Sequence, residues 1–250
     1  MNELPTGRAR ILSWNIMQSG GNRADAIVRA IQSHGPDVIL LSEIRSKSSQ
    51  PLLQKLRDSG WAHTLFSNPP GIEYGVAVLS RHPILRVPDP SPTPCGGNRW
   101  LEFTIPDHAF SIVCTHIPMN SQKQPTLKNE YWDAVLAAAE KRIAEPVLLI
   151  GDFNTGKHRI DETGRTFRCA DKFGQLEASG WTDAWRHFHG ANTESTWYSR
   201  LKGAARGNGF RLDHAFVTPA LLPRVSRCWY SHDEREAGIS DHSILMVETE

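Results

Sequence analysis

The sequence predicts an α/β protein with mixed β-sheets and helices on the outside, and three observations carry that prediction. Short apolar runs rich in Val, Ile and Leu recur along the chain at strand length. Helix-period patterns separate some of these runs, as crossovers between parallel strands require. Other runs stand too close together for a crossover and read as hairpins. Helices between some strands and hairpins between others make the sheets mixed.

The strand-like runs are Arg10–Ile16, Asp37–Ile44, Gly75–Leu79, Trp100–Ile105, Phe110–His116, Val147–Asp152, His214–Thr218 and Ser243–Glu248. After the first of them, Ala24–Ser33 places Ile27, Val28 and Ile31 on one helical face. Leu52, Leu53 and Leu56 do the same behind Pro51, with Gly60 as the stop. The longest helical pattern runs from about Thr126 to Ala144, with Tyr131, Val135, Leu136 and Ile143 apolar, and Pro146 closes it. Trp100–Ile105 and Phe110–His116 read as a hairpin through Pro106-Asp107-His108. Pro88–Gly97 holds four prolines and two glycines and reads as a surface loop within one domain. With no internal repeat, a single domain is expected over 1–250, its ordered core about 8–249.

Composition narrows the class. Hydrophobic residues at 39% and charged residues at 22% are an ordinary globular balance and argue against global disorder. A formal charge of +1 excludes a histone-like protein or an acidic tail, while leaving room for a local basic groove that binds nucleic acid. The longest apolar runs, Val38–Leu41 and Val147–Ile150, fall far short of the ~18 residues that span a bilayer, so no membrane is expected. Residues Met1–Ile11 carry Arg8 and Arg10 but no apolar signal core. Cys95, Cys114, Cys169 and Cys228 show no CxxC pairing and read as buried or free thiols of a reducing compartment, with the cytoplasm as default.

The chemistry collects where strands end. Ile11–Asn15 finishes on an amide, Val38–Glu43 on a carboxylate and Phe110–His116 on an imidazole. Val147–Gly151 delivers Asp152 and Asn154, Asp213 opens another strand, and Asp241-His242 precedes the last. One polar residue at a strand end is ordinary turn chemistry. Four carboxylates, two carboxamides and two histidines in such positions are expected to converge on one rim of a packed pair of sheets.

That set suits a hard divalent ion and a phosphate diester, because Mg²⁺ takes one or two carboxylates together with water and substrate phosphate. Glu43 is the natural anchor, with Asn15 and Asp241 as partners, directly or through water. Asp152 can orient or deprotonate the attacking water, and His242 beside Asp213 can donate to a phosphoryl oxygen. No HExxH or Cys cluster supports zinc, and neither a GxxxxGK[ST] loop nor a GxSxG elbow is present.

With these residues in place, the chain resembles the endonuclease/exonuclease/phosphatase superfamily. The matching segments are Ser13-Trp14-Asn15-Ile16, Leu41-Ser42-Glu43-Ile44-Arg45, Tyr74–Ser80, Gly151-Asp152-Phe153-Asn154, Arg211-Leu212-Asp213 and Ser240-Asp241-His242, in the family's order. The resemblance implies a four-layered α/β sandwich, two mixed β-sheets packed face to face with helices outside. It also implies Mg²⁺-dependent phosphoester hydrolysis, with Mn²⁺ as a substitute. Carried over position by position, Glu43 is similar to the principal metal ligand and Asn15 and Asp241 to its helpers. Asp152 and Asn154 resemble the water-activating carboxylate and its orienting neighbour. Asp213 and His242 resemble the Asp–His pair at the scissile phosphate, and Arg45 matches a position that is often basic in the nucleases.

The C-terminal third is most similar to the exonuclease III type of abasic-site endonuclease. There, the positions of Trp197, Phe210 and Leu212 wall a pocket for a flipped-out, base-less sugar. The partner implied is double-stranded DNA with an abasic site, cut on its 5′ side by a monomer, with 3′-exonuclease or 3′-phosphatase activity beside it. Two positions depart from that branch: His116 stands where it has tyrosine, and Met119 where it has a polar amide. Histidine at 116 is similar instead to deoxyribonuclease I and the sphingomyelinases, which keeps a general nuclease or a small-molecule or lipid phosphoesterase as the alternative. A binding module that has kept the fold and lost the chemistry is disfavoured by the intact acid–amide–His set.

Overall fold

A computed structural model of the protein describes residues 8–94, 97–199 and 207–250; residues 1–7 and Cys95 fall outside them. In chain order the elements begin β1 (Ala9–Asn15), α1 (Ala24–His34), β2 (Val38–Ile44), α2 (Gln50–Asp58), β3 (His63–Phe66), β4 (Gly75–Ser80), β5 (Leu85–Arg86), β6 (Trp100–Ile105) and β7 (Phe110–His116). They continue with α3 (Leu127–Arg142), β8 (Val147–Asp152), α4 (Ala170–Ala178), β9 (Thr182–Asp183), α5 (Ala184–His189), β10 (Trp197–Tyr198), β11 (Gly209–Phe210), β12 (Asp213–Val217), β13 (Val225–Ser231), α6 (Asp233–Glu236) and β14 (Ile244–Thr249).

Two six-stranded sheets form, ordered β13-β14-β1-β2-β4-β3 and β5-β6-β7-β8-β12-β9. Each is mixed: β1–β2 and β7–β8 are parallel, bridged by α1 and α3, and the remaining pairs are antiparallel. The near-continuous apolar runs follow from burial on both faces, with alternate residues serving different layers. Ile11, Val38, Leu40, Val76 and Val78 of one sheet meet Phe103, Ile112, Leu148, Ile150 and Ala215 of the other in a central core. The intervening Leu12, Ile39, Leu41 and Leu79 pack outward on Ile27 and Ile31 of α1 and Leu52, Leu53 and Leu56 of α2. Val113, Leu149 and Phe216 pack outward on Trp132 and Val135 of α3 and Phe173 and Leu176 of α4. Helix, sheet, sheet and helix make the four layers that the sequence implied.

The predicted helices fall on α1, α2 and α3, and the β6–β7 hairpin turns through a short 3₁₀ segment at Pro106–His108. The sequence pattern did not delimit β13, where Ser226 and Arg227 are exposed, nor α4, whose buried residues are Phe173 and Leu176 alone. Cys114 and Cys228 are buried, Cys169 is half-buried, and all three are free thiols, as expected. Among the described residues no helix is long and apolar enough to cross a membrane.

Candidate active site

Topology places the predicted polar residues on one rim. The parallel strands β1, β2, β7 and β8 present their C-terminal ends there, and their antiparallel neighbours β12 and β14 present their N-terminal ends. Registration is direct: His116 lies opposite Asp152, and Asp152 opposite Asp213. Gly151 permits the β7–β8 approach, since its φ is +148° and an added Cβ would stand 1.8 Å from the Thr115 carbonyl oxygen.

Glu43 is positioned by a β-bulge. The β2–β4 register shifts between Ser42 and Ile44, and Glu43 takes φ 61° there. The segment behind Asn15 is left-handed as well, at Met17, Gln18 and Ser19. This run lets Gln18 N donate to Glu43 Oε2 (2.6 Å) and Ser19 N to the Glu43 carbonyl (2.9 Å). Asn154 is a further non-glycine residue at positive φ (47°), and such outliers gather where a site over-determines the backbone.

The side chains converge in a cleft of about 420 Å³ lined by Asn15, Glu43, His116, Asp152, Asn154, Asp241 and His242. Asn15 Nδ2 lies between Glu43 Oε1 (3.3 Å) and Asp152 Oδ2 (3.1 Å). Asn154 holds Asp152 from both sides, its backbone N donating to Oδ1 (2.9 Å) and its Nδ2 to Oδ2 (3.2 Å). His242 Nδ1 pairs with Asp213 Oδ2 at 2.9 Å, while its Nε2 lies 3.9 Å from Asp152 Oδ2. His116 Nε2 lies 3.6 Å from that same oxygen.

Burial and neighbours set the charges. Burial raises the Asp152 carboxyl; His242 opposes this and Asp213 reinforces it, leaving its pKa at about 7. Burial alone would lower His242, but Asp213 and Asp152 outweigh it and raise the imidazole to about 10, so it carries a proton. Burial, then Arg99 and His242, push His116 well below the usual imidazole range and keep it neutral.

The donor chemistry fits a hard divalent ion. Asp152, Asp213 and His242 offer ligand atoms within 4.8 Å of one another. Protonated His242 is already committed to Asp213, however, which turns that corner into a proton donor and leaves the carboxylates of Glu43, Asp152 and Asp241 as the oxygen-rich side of the cleft, with Asn15 Oδ1 accepting from Met17 N. The Asn15 amide fills the space between two carboxylates with the positive end of a dipole, a charge pattern that a cation would complete.

Beside the cleft lies an apolar recess of about 320 Å³, and Met119, Asn120, Asn154, Trp197 and Leu212 line both. Phe210 and Leu212, two apart on an extended segment, both face the recess. Trp197 and Phe210 pack with ring centroids 5.8 Å apart, and Trp197 Nε1 donates to Asp241 Oδ2 (3.2 Å), tying the recess to the cleft. The intervening Arg211 points inward to Asp161 and Asp183.

Arg45 is half-buried, does not line the cleft, and stacks on Tyr74 with its guanidinium 4.4 Å from the ring. The arginine that lines it is Arg99, which the sequence reading missed; it lies 3.4 Å from the His116 ring and over the Tyr74 ring at 5.7 Å. Phe167 and Lys128, also missed, line the recess. Tyr74 alone carried a signal, at the head of the matched Tyr74–Ser80 segment.

Two face-to-face sheets with a rim of carboxylates, amides and histidines define an α/β sandwich with a polar cleft at its strand ends. The chain belongs to the Endonuclease/Exonuclease/phosphatase family, whose sequence profile matches residues 12–242. It is similar to Recombination repair protein 1 of Drosophila melanogaster, 25% identical over 260 residues, covering 95% of this chain and 36% of that one. It is also similar to a DNA-(apurinic or apyrimidinic site) endonuclease of Dictyostelium discoideum, 23% identical over 233 residues, with coverage of 86% and 64%. The chain thus spans less than two thirds of the length of these curated relatives. Among solved structures, an AP endonuclease from Archaeoglobus fulgidus superposes with a TM-score of 0.80 at 22% identity, covering 97% of this chain and 99% of that one. A 3′ phosphatase from Neisseria, solved with a product DNA hairpin, gives 0.78 at 20% identity over 97% and 99%. These two likenesses establish the fold.

Proposed function

We propose that the protein is a Mg²⁺-dependent phosphodiesterase that cuts DNA on the 5′ side of abasic sites, with 3′-exonuclease or 3′-phosphatase action at the same cleft. The observation that carries this reading is the wall shared by the carboxylate cleft and the apolar recess. Glu43, Asn15 and Asp241 would hold the ion, which when bound neutralises charge on the phosphoryl oxygens.

The chain's own residues do the rest. Asp152 takes a proton from the attacking water, and its pKa near 7 matches neutral conditions. Asn154 fixes the rotamer of that carboxylate through two hydrogen bonds. His242, kept protonated by Asp213, donates to a phosphoryl oxygen as negative charge builds there. Neutral His116 is a second contact for the same phosphate. Trp197, Phe210 and Leu212 pack on the bare deoxyribose, and their bulk excludes a base-bearing nucleotide.

His116 favours a second reading, a general nuclease or small phosphoesterase, because it replaces the tyrosine of the abasic-site branch. One labelled duplex, with and without a tetrahydrofuran abasic analogue, in Mg²⁺ and in EDTA, separates the two. Lesion-dependent, metal-dependent cleavage is expected. Uniform nicking, or phosphate release from small esters without cutting, moves the assignment to the second reading, and full activity in EDTA removes the metal from it.

A further inference from the structure

Lys128 is a nucleophilic group that hydrolysis leaves unused. It stands at the start of α3 and is 4% exposed, yet it lines the apolar recess with Asn154, Trp197 and Phe210. Its Nζ donates to the Asn154 carbonyl oxygen, which spends one of three donor positions. Burial lowers its pKa to about 8; Cys169 and Asp152 oppose the fall, and Arg168 adds to it. At pH 7 such a lysine is neutral roughly a tenth of the time, about 200-fold more than an ordinary one. A desolvated lysine in an apolar pocket is the usual device for forming Schiff bases with carbonyl substrates.

An abasic deoxyribose differs from every other nucleotide sugar because its hemiacetal opens to an aldehyde at C1′. We propose that Lys128 captures this aldehyde as an imine, so that the recess holds the lesion covalently and reversibly as well as by packing. The Nζ lone pair attacks C1′, the carbonyl oxygen leaves as water with the two amine hydrogens, and a C1′=Nζ double bond remains. No oxidant, reductant or metal ion enters, and hydrolysis returns both partners. The inference rests on the abasic-sugar reading of the recess.

The test uses the full chain in EDTA, a duplex carrying a natural abasic site, and sodium cyanoborohydride, which reduces an imine to a stable secondary amine. A covalent protein–DNA species is expected, its cross-linked peptide mapping to Lys128. The tetrahydrofuran duplex, which has no aldehyde, gives none. Lys128→Arg keeps a positive charge and a donor toward Asn154 but cannot form the imine, and lowers the yield by about tenfold or more. Peptide mapping on the unaltered chain does not depend on how that variant folds. No adduct, or an adduct mapped to another amine, overturns the inference. Cleavage of the tetrahydrofuran duplex in Mg²⁺ reads the abasic-site function separately. Cleavage without a Lys128 adduct overturns only the capture step, and an adduct without cleavage overturns only the hydrolytic reading.

Discussion

Asp152 and Asp183 are both buried, at 2% and 4% exposure, yet their carboxyls are driven in opposite directions. Burial raises both. At Asp183 the Arg211 guanidinium outweighs it, donating from Nη2 at 2.6 Å and Nη1 at 3.2 Å, and holds the carboxyl far below the usual range. Asp161 shares that network, accepting from Arg211 Nε (2.7 Å) and Arg186 Nη2 (2.6 Å), and is also lowered. At Asp152 the cationic partner is His242, whose lowering Asp213 opposes from across the ladder, so burial prevails and the carboxyl rises to about 7. Burial raises the carboxyl in both places, and the strength of the opposing cationic contacts decides whether that rise survives. A buried aspartate pinned by a guanidinium is a strut, whereas one facing another carboxylate is available for proton transfer.

The sharpest break in that contrast is Asp152→Asn. It removes the base while keeping the shape, so turnover on an abasic duplex should fall ~10²–10⁴-fold. The melting temperature in EDTA at neutral pH should not fall, because burial raises the Asp152 carboxyl and ionising it in the folded chain costs stability. Arg211→Met should do the reverse to the fold. It takes the guanidinium from Asp183, leaves Asp161 with Arg186 alone, and should cost about 3–5 kcal/mol in denaturant unfolding, with activity lost in proportion to the unfolded fraction.

Trp197→Ala sits between the two regions. Half-buried at the recess, it offers a face to substrate. Its loss should weaken action on an abasic duplex by up to ~1.5–3 kcal/mol, roughly 10–150-fold. Hydrolysis of a small ester should be largely retained. A lower melting temperature with parallel losses on both substrates would make Trp197 a core residue instead.

The smallest effect is in pH. Asp183 and Asp161 are depressed, so their stabilisation is present above the unfolded value of about 3.9 and is lost as pH falls through their lower folded values. Asp152 is raised, so its contribution is full below about 3.9 and is lost as pH climbs through 7. Denaturation midpoints measured from pH 3 to 8 in EDTA should therefore flatten at the alkaline end in Asp152→Asn. In Arg211→Met, where the guanidinium that depresses Asp183 and Asp161 is gone, the loss of stability as pH falls below about 3.9 should shrink.

Sequence by itself determined the layers and the rim. Strand runs buried on both faces are apolar throughout, and α1, α2 and α3 carry one-sided or capped patterns, so these elements were legible. Asn15, Glu43, His116, Asp152, Asp213 and His242 were legible too, because each interrupts or ends an apolar run where a core residue would otherwise stand. The i, i+2 spacing of Phe210 and Leu212 put both on one face, and the structure gives that face to the recess. The rest belongs to tertiary structure, since it depends on contacts between residues far apart in the chain. The bulge at Glu43 aims that carboxylate into the cleft while Arg45, two residues on, stacks on Tyr74, and Arg99 takes the place beside His116. Lys128 is an unremarkable helix lysine in sequence, and only the docking of α3 against Asn154 desolvates it. The opposite fates of Asp152 and Asp183 were likewise beyond the sequence, because a carboxylate's chemistry follows from which charge the fold brings to it.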